Sequence, residues 1–186
     1  MKIGLSQRVL THNKQVHDSL DRNWYVLLRG HELVPIPNRE DLNYQSLAES
    51  LDLLILTGGG NERIRLETEI SIATEMSKLG KPILGICHGA FLLTEIFEGK
   101  TKSGKENHHN VNHLVYGKES SRMVNSFHNI AIDKHPPNSV LLYSDEDDDC
   151  ESWIMDNICA IVLHPERMTI PYIPEEIMEA TGLCLI

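Results

Sequence analysis

Two apolar runs that stop abruptly on glycine constrain this chain more than any other feature. They are LDLLILTGGG, residues 51–60, and KPILGICHGAFLL, residues 81–93. Each reads as a short strand that is apolar throughout rather than alternating, as a strand covered on both faces must be. Between them Leu66, Ile70 and Ala73 fall on one helical face, and Gly80 followed by Pro82 marks the end of that helix. Upstream, KIGL reads as a strand, Val16, Leu20, Trp24 and Leu27 recur at helical spacing, and LVPIP is a short strand closed by proline. Downstream, GAFLLTEIFEG reads as the next helix. Strands alternating with helices imply right-handed crossovers and a parallel sheet. The second half, with NHLVYG, RMVNSF, SVLLYS and ICAIVL, adds further strands, some of them antiparallel. The expected class is therefore α/β, with a mostly parallel central sheet and extra antiparallel strands in the second half. No repeat or low-complexity linker divides the 186 residues, so residues 1–186 read as a single domain. In such open sheets sites form at the carboxyl ends of strands, where both TGGG and ICHG fall.

The balance of charge narrows the partners. With 17 basic against 27 acidic residues the formal net charge is −10, which argues against general nucleic-acid binding. No apolar run approaches the roughly 20 residues that cross a bilayer, so no membrane association is expected. MKIGLSQRVLTH lacks a long apolar h-region, so no signal peptide is expected. Cys87, Cys150, Cys159 and Cys184 have no CxxC spacing and read as reduced thiols of a cytoplasmic protein.

The residues that carry chemistry surround Cys87. G-x-C-x-G between a strand and a helix suits a nucleophile on a sharp turn, because Gly85 and Gly89 relieve the crowding around it. The N-terminus of the following helix favours thiolate over thiol. A cysteine nucleophile needs a base and a group to orient that base. In VLHPER, His164 closes an apolar strand and Glu166 lies two residues on, pointing the same way in extended backbone. Glu166 would then fix the imidazole tautomer. The glycines of LTGGGN would let backbone N–H groups face a ligand and, with the N–H after Cys87, form an oxyanion hole. The same residues also read as an inert buried cysteine, a surface H-P-E turn and a loop that needs positive φ. No set at metal-ligand spacing implies a metal or another cofactor. His108, His109 and His113 read as a polar loop, and SDEDDDCE around Asp147 as a solvated turn.

In this order and spacing, LTGGGN, KPILGICHGAFLL, VNSFHN and AIVLHPER resemble the class I glutamine amidotransferase family, with RLETE, NSFH and HPER closest to its free-standing γ-glutamyl hydrolases. The resemblance implies a flavodoxin-like three-layer α/β sandwich. It makes Cys87 the nucleophile, His164 the acid/base, Glu166 its orienter, and the N–H groups of Gly59 and His88 the oxyanion hole. It implies that Gly58, Gly60, Phe91, Asn125, Ser126, Phe127 and His128 line the pocket for a small-molecule γ-glutamyl substrate. Phe91 replaces the glutamine common in the family four residues after the nucleophile, and His88 the usual Arg or Leu. Both departures point away from free glutamine. HDSLDRNW…PIPN is similar to small γ-glutamyl hydrolases that act on γ-glutamyl-CDP-amidate in capsule polysaccharide phosphoramidate modification. A nucleotide-linked leaving group would call on cations, for which Arg8, Arg65, Lys100, Lys102 and Lys105 are candidates. A glutaminase component feeding ammonia to a synthetase, or a non-enzymatic regulatory relative, stands as the alternative. Assembly into a homo-oligomer is left open.

Overall fold

The computed structural model describes residues 1–105, 108–118 and 120–185. The elements in chain order are β1 (Lys2–Ser6), β2 (Arg8–His12), β3 (Gln15–Ser19), α1 (Asn23–Leu27), β4 (Glu32–Ile36), α2 (Tyr44–Ser50), β5 (Leu53–Leu56), α3 (Arg63–Lys78), β6 (Ile83–Ile86) and α4 (His88–Ile96). They continue with β7 (Lys100–Ser103), β8 (His109–Gly117), β9 (Ser121–Phe127), β10 (Ile130–Lys134), β11 (Val140–Ser144), β12 (Cys150–Met155), β13 (Ile158–Ile161) and α5 (Glu175–Thr181).

One large sheet runs in the order β4-β1-β5-β6-β13-β12-β11-β8-β9. The five strands from β4 to β13 are parallel. From β12 onward the neighbours are antiparallel, and β10 pairs with both β12 and β7. The architecture is the mixed α/β sheet expected, with the antiparallel extension supplied by the second half. Every residue of β5, β6 and β13 is buried, which is why LLIL, ILGI and ICAI carry no polar alternation. α2 packs on α3, while α4 packs across β6 and β13, and α5 lies against β13. Right-handed crossovers carry α2, α3 and α4 to one face and α1 to the other. Pro35 is accommodated because β4 is an edge strand of the sheet.

The N-terminal reading differs from what forms. Val16 and Leu20 do not lie on a helix with Trp24 and Leu27. Instead β2 and β3 make a separate two-stranded hairpin, and only the short α1 carries Trp24 and Leu27 inward. The cause is local: Asn13 and Lys14 both adopt left-handed backbone, at φ 49° and 63°, the geometry of a two-residue hairpin turn. Val16 is consequently 70% exposed. In α3 the buried face is shifted from the expected one. Arg65, Thr68, Glu69, Ile72, Ala73 and Met76 point inward, whereas Ile70 is exposed. The run around Asp147 is not an extended solvated turn either. Asp145 Oδ1 accepts hydrogen bonds from the backbone N–H groups of Asp147 and Asp149, and the carboxylates close around Lys105.

The junction from β6 to α4 fixes the geometry of everything near Cys87. Cys87 adopts φ 50°, ψ −104°, a backbone conformation that side-chain-bearing residues rarely take. Its N–H donates to Ile161 O at 3.0 Å, which ties the turn to β13. A Cβ on Gly85 would lie 2.5 Å from the Gly89 carbonyl oxygen, and one on Gly89 would lie 2.6 Å from Leu56 Cβ. Both glycines are therefore required by close approach, one across the turn and one between α4 and β5. Gly85→Ala is expected to destabilise the fold by about 1–3 kcal/mol through overpacking against backbone. Urea unfolding should show this as a lower midpoint at unchanged slope, and an unchanged midpoint would count against the packing account.

Candidate active site

The carboxyl ends of three adjacent parallel strands converge here. β5 leads into Thr57-Gly58-Gly59-Gly60, β6 into Cys87, and β13 through Val162 and Leu163 into His164. A cavity of about 220 Å³ opens at this end, with Gly59, Cys87, His88, Phe91, Phe127 and His128 among its lining residues. Gly58 is beside it rather than in its wall: a Cβ there would overlap the His164 ring, and only glycine leaves that ring its place.

His164 is held on every side. Its Nδ1–H donates to Glu166 Oε1 at 2.7 Å, which leaves Nε2 as the basic nitrogen. Pro165, Glu166 and Arg167 form a single 3₁₀ turn that folds Glu166 back under the imidazole. The Asn125 side chain grips the His164 backbone twice, donating to its carbonyl at 2.9 Å and accepting from its N–H at 2.8 Å. Phe127 meets the ring edge-on at 5.4 Å, and the Arg167 guanidinium stacks over Phe127 at 4.6 Å. Burial lowers the His164 pKa, against the opposing pull of Glu166, so the resting imidazole is neutral near pH 7.

Cys87 corrects one electrostatic expectation. The N-terminus of α4 does not by itself hold a thiolate. Burial pushes the Cys87 thiol up to about 12, even though the His88 N–H points at the sulfur and Arg167 and Arg8 oppose the shift. Desolvation beats the helix dipole here, and an activated sulfur needs a proton acceptor. Cys184 is exposed and Cys87 is only 7% exposed, so alkylation rate in the resting protein does not mark out Cys87.

Beneath the glycine loop lies a buried ionic bridge that the sequence pattern does not lead one to expect. Arg65 does not face the cavity as a leaving-group contact. It is fully buried, donating to Glu69 Oε1 through Nε (3.0 Å) and Nη2 (2.9 Å), and to the Thr57 carbonyl at 2.6 Å. The other oxygen of Glu69 meets His88 Nε2 at 2.8 Å. Burial alone would raise the Glu69 carboxyl, but the His88 hydrogen bond and the Arg65 charge outweigh it and hold the group below its ordinary value. The bridge thus ties the side chain that follows Cys87 to the loop that carries Gly59. The signal is present in RLETE, where Arg65 and Glu69 are spaced i, i+4 on the inward face of a helix.

The other candidates divide. Arg8 Nε donates to the Gly58 carbonyl at 2.6 Å, and its Nη2 is buried with no protein partner. Lys105 is committed to Asp145, Asp147 and Asp149, and Lys102 to Asp133 and Asp149, so neither is a free cation for a ligand. Gly60 offers its carbonyl to Arg65 and is not in the cavity wall. Asn125 and Ser126 do not line the cavity: Asn125 positions His164, and the Ser126 hydroxyl donates to the His108 carbonyl. Phe127 and His128 do line it. The histidines expected to form a polar loop separate. His109 is exposed, whereas His108 and His113 turn inward to meet His128 and Glu151. Burial, with repulsion from neighbouring imidazoles, pushes His113 and His128 down to about 4.

Comparison with known proteins agrees with this arrangement of strands. The family description Glutamine amidotransferase class-I matches residues 9–178. The chain is 26% identical over 185 residues to a gamma-glutamyl-CDP-amidate hydrolase of Campylobacter jejuni subsp. jejuni serotype O:2, covering 90% of each chain. Among solved structures it is similar to a Thermoplasma acidophilum protein assigned to GMP synthase, with TM-score 0.73 and 22% identity over 97% of this chain and 92% of that one. It is also similar to a glutamine amidotransferase of Thermotoga maritima, with TM-score 0.69 and 14% identity over 89% of this chain and 76% of that one. The two structural likenesses speak to the fold alone. With the family match spanning most of its length, the chain belongs to the class I glutamine amidotransferase family.

Proposed function

We propose that this protein is a cysteine-dependent hydrolase that cleaves a γ-glutamyl amide-type bond through a glutamyl thioester and releases glutamate. The observation that carries the reading is the 2.7 Å contact of His164 Nδ1 with Glu166, because it aims a neutral Nε2 into the strand-end crevice that Cys87 lines. In the first half-reaction Nε2 takes the Cys87 proton as the sulfur attacks the γ-carbonyl carbon. The oxyanion is received by the backbone N–H groups of Gly59 and His88. The imidazolium then gives its proton to the nitrogen as the C–N bond breaks. In the second half-reaction water gives a proton to His164 and its oxygen to the thioester carbon. Glutamate departs, and the proton returns to the sulfur. A buried thiol with its pKa near 12 and a neutral histidine suit this order, since charge develops only when substrate arrives.

For the leaving group we favour a nucleotide diphosphate carried on the amide nitrogen, as in γ-glutamyl-CDP-amidate. Two features support this. The likeness to the Campylobacter hydrolase runs over 90% of both chains. Arg8 also keeps one buried guanidinium nitrogen unpartnered beside the glycine loop, as a phosphate contact requires. Phe91 lines the cavity and packs its edge on His128 at 5.8 Å, an apolar wall where a glutamine user would place an amide. The product would then be cytidine diphosphoramidate, in keeping with a role in capsule polysaccharide modification in the cytoplasm.

Three outcomes test the reading. Wild-type protein given glutamine, a γ-glutamyl amine and γ-glutamyl-CDP-amidate should release glutamate fastest from the last, and Cys87→Ala should abolish release while the circular dichroism spectrum is kept. Glutamate release from none of the three would refute the hydrolase assignment. Arg8→Ala should raise KM for the nucleotide-bearing substrate by about tenfold or more, the value of one charged hydrogen bond, and leave KM for the γ-glutamyl amine unchanged. Equal effects on both substrates would remove Arg8 from the leaving-group site. The pH profile of kcat/KM should carry an acid limb below pH 6.5, because His164 must be neutral and burial lowers its pKa. Glu166 stabilises the imidazolium, so Glu166→Gln should move that limb to still lower pH while cutting kcat about 100- to 10,000-fold. A limb that stays put would deny Glu166 its role on His164.

A further inference from the structure

Four side chains from separate parts of the sheet extension converge on one point with nothing between them. His108 precedes β8 and His113 lies within it, His128 follows β9, and Glu151 lies on β12. One donor atom from each falls within 4.8 Å of all the others. His113 Nε2 is 3.8 Å from Glu151 Oε2, and His128 Nε2 is 3.9 Å from Glu151 Oε1. The atoms that face inward have no hydrogen-bond partner: His108 Nδ1, His113 Nε2, His128 Nε2 and Glu151 Oε2 are all buried and unsatisfied. Such groups are costly to bury, and four that converge would be relieved together by a single cation.

We propose that His108, His113, His128 and Glu151 form a closed site for a divalent transition metal of the zinc class. The donor set of three imidazole nitrogens and one carboxylate oxygen suits zinc, cobalt or nickel rather than magnesium or calcium, which take oxygen shells. Zinc–nitrogen bonds of about 2.0–2.1 Å put tetrahedral ligands roughly 3.4 Å apart, so the cluster closes on a metal by movements of about an ångström. Its orientation is already set by outer contacts. His128 Nδ1–H donates to the Ile130 carbonyl at 2.6 Å, which commits the lone pair of Nε2 to the cluster. The Ser126 hydroxyl holds the His108 carbonyl.

With four protein ligands the site leaves no open position for water, which marks it as structural rather than catalytic. Its place gives it a task. His128 lines the cavity next to Cys87 and packs on Phe91, so the metal clamps β8, β12 and the turn after β9 into the cavity wall. The inference stands independently of which γ-glutamyl compound is cleaved.

Tag-free protein stripped by chelator and titrated with Co²⁺ provides the test. Wild type should take up about one equivalent and develop an intense visible band of tetrahedral cobalt without a thiolate charge-transfer band. Zn²⁺ should displace the cobalt and raise the melting temperature by several degrees. His113→Ala and, separately, Glu151→Gln should each weaken uptake at least tenfold and lose the visible band, with far-ultraviolet circular dichroism confirming that each variant is folded. Uptake equal in wild type and both folded variants, or no uptake by wild type, would overturn the site. A thiolate band that vanishes in Cys87→Ala would overturn it too, placing the metal on Cys87.

Discussion

The backbone turn at Cys87 is the constraint on which the rest of this end of the molecule depends. A residue at φ 50°, ψ −104° is sustained only if its surroundings over-determine it, and here three do. The Cys87 N–H is anchored to β13, Gly85 and Gly89 allow the chain to pass within contact of itself, and α4 is seated against Leu56 of β5. The same close packing that stabilises the turn sets the sulfur at the head of a helix and level with the ends of β5 and β13. Local strain, strand register and the position of the functional groups are one arrangement.

Electrostatics in this arrangement is governed by burial more than by dipoles. The helix N-terminus and two arginines act to lower the Cys87 pKa, yet desolvation leaves the thiol protonated. His164 is likewise kept neutral against the pull of Glu166. A site poised as a neutral pair avoids holding an unpaired thiolate out of water, and it reserves the field of Arg8, Arg167 and the backbone donors for charge that develops on substrate. The charges buried outright, Arg65 and Glu69, are fully paired and hydrogen-bonded, as buried ions must be.

Much of this is legible in the sequence. Apolar runs ending in glycine mark β5 and β6, and the order of TGGG, GICHG and HPER brings the right strand ends together. What is not legible has physical causes. The hairpin of β2 and β3 depends on Asn13 and Lys14 adopting left-handed backbone, which spacing of apolar residues does not register. Arg65 reads as a ligand contact because an arginine near a loop is usually solvated, and only packing reveals that its partner Glu69 lies on the inward face of α3. The lysines and aspartates of the second half, which read as separate charged stretches, neutralise one another across strands. His108, His113, His128 and Glu151 are up to 43 positions apart, and antiparallel pairing alone makes them neighbours.

The central claim is that carbon–nitrogen cleavage passes through a covalent glutamyl ester of Cys87. Rapid quenching of wild-type protein during turnover of a γ-glutamyl substrate, followed by peptide mass spectrometry, measures this directly. The account predicts a peptide containing Cys87 that is heavier by one glutamyl group, accumulating further in a variant with slowed deacylation and absent from Cys87→Ala. Turnover that persists in Cys87→Ala with no glutamylated peptide would contradict it.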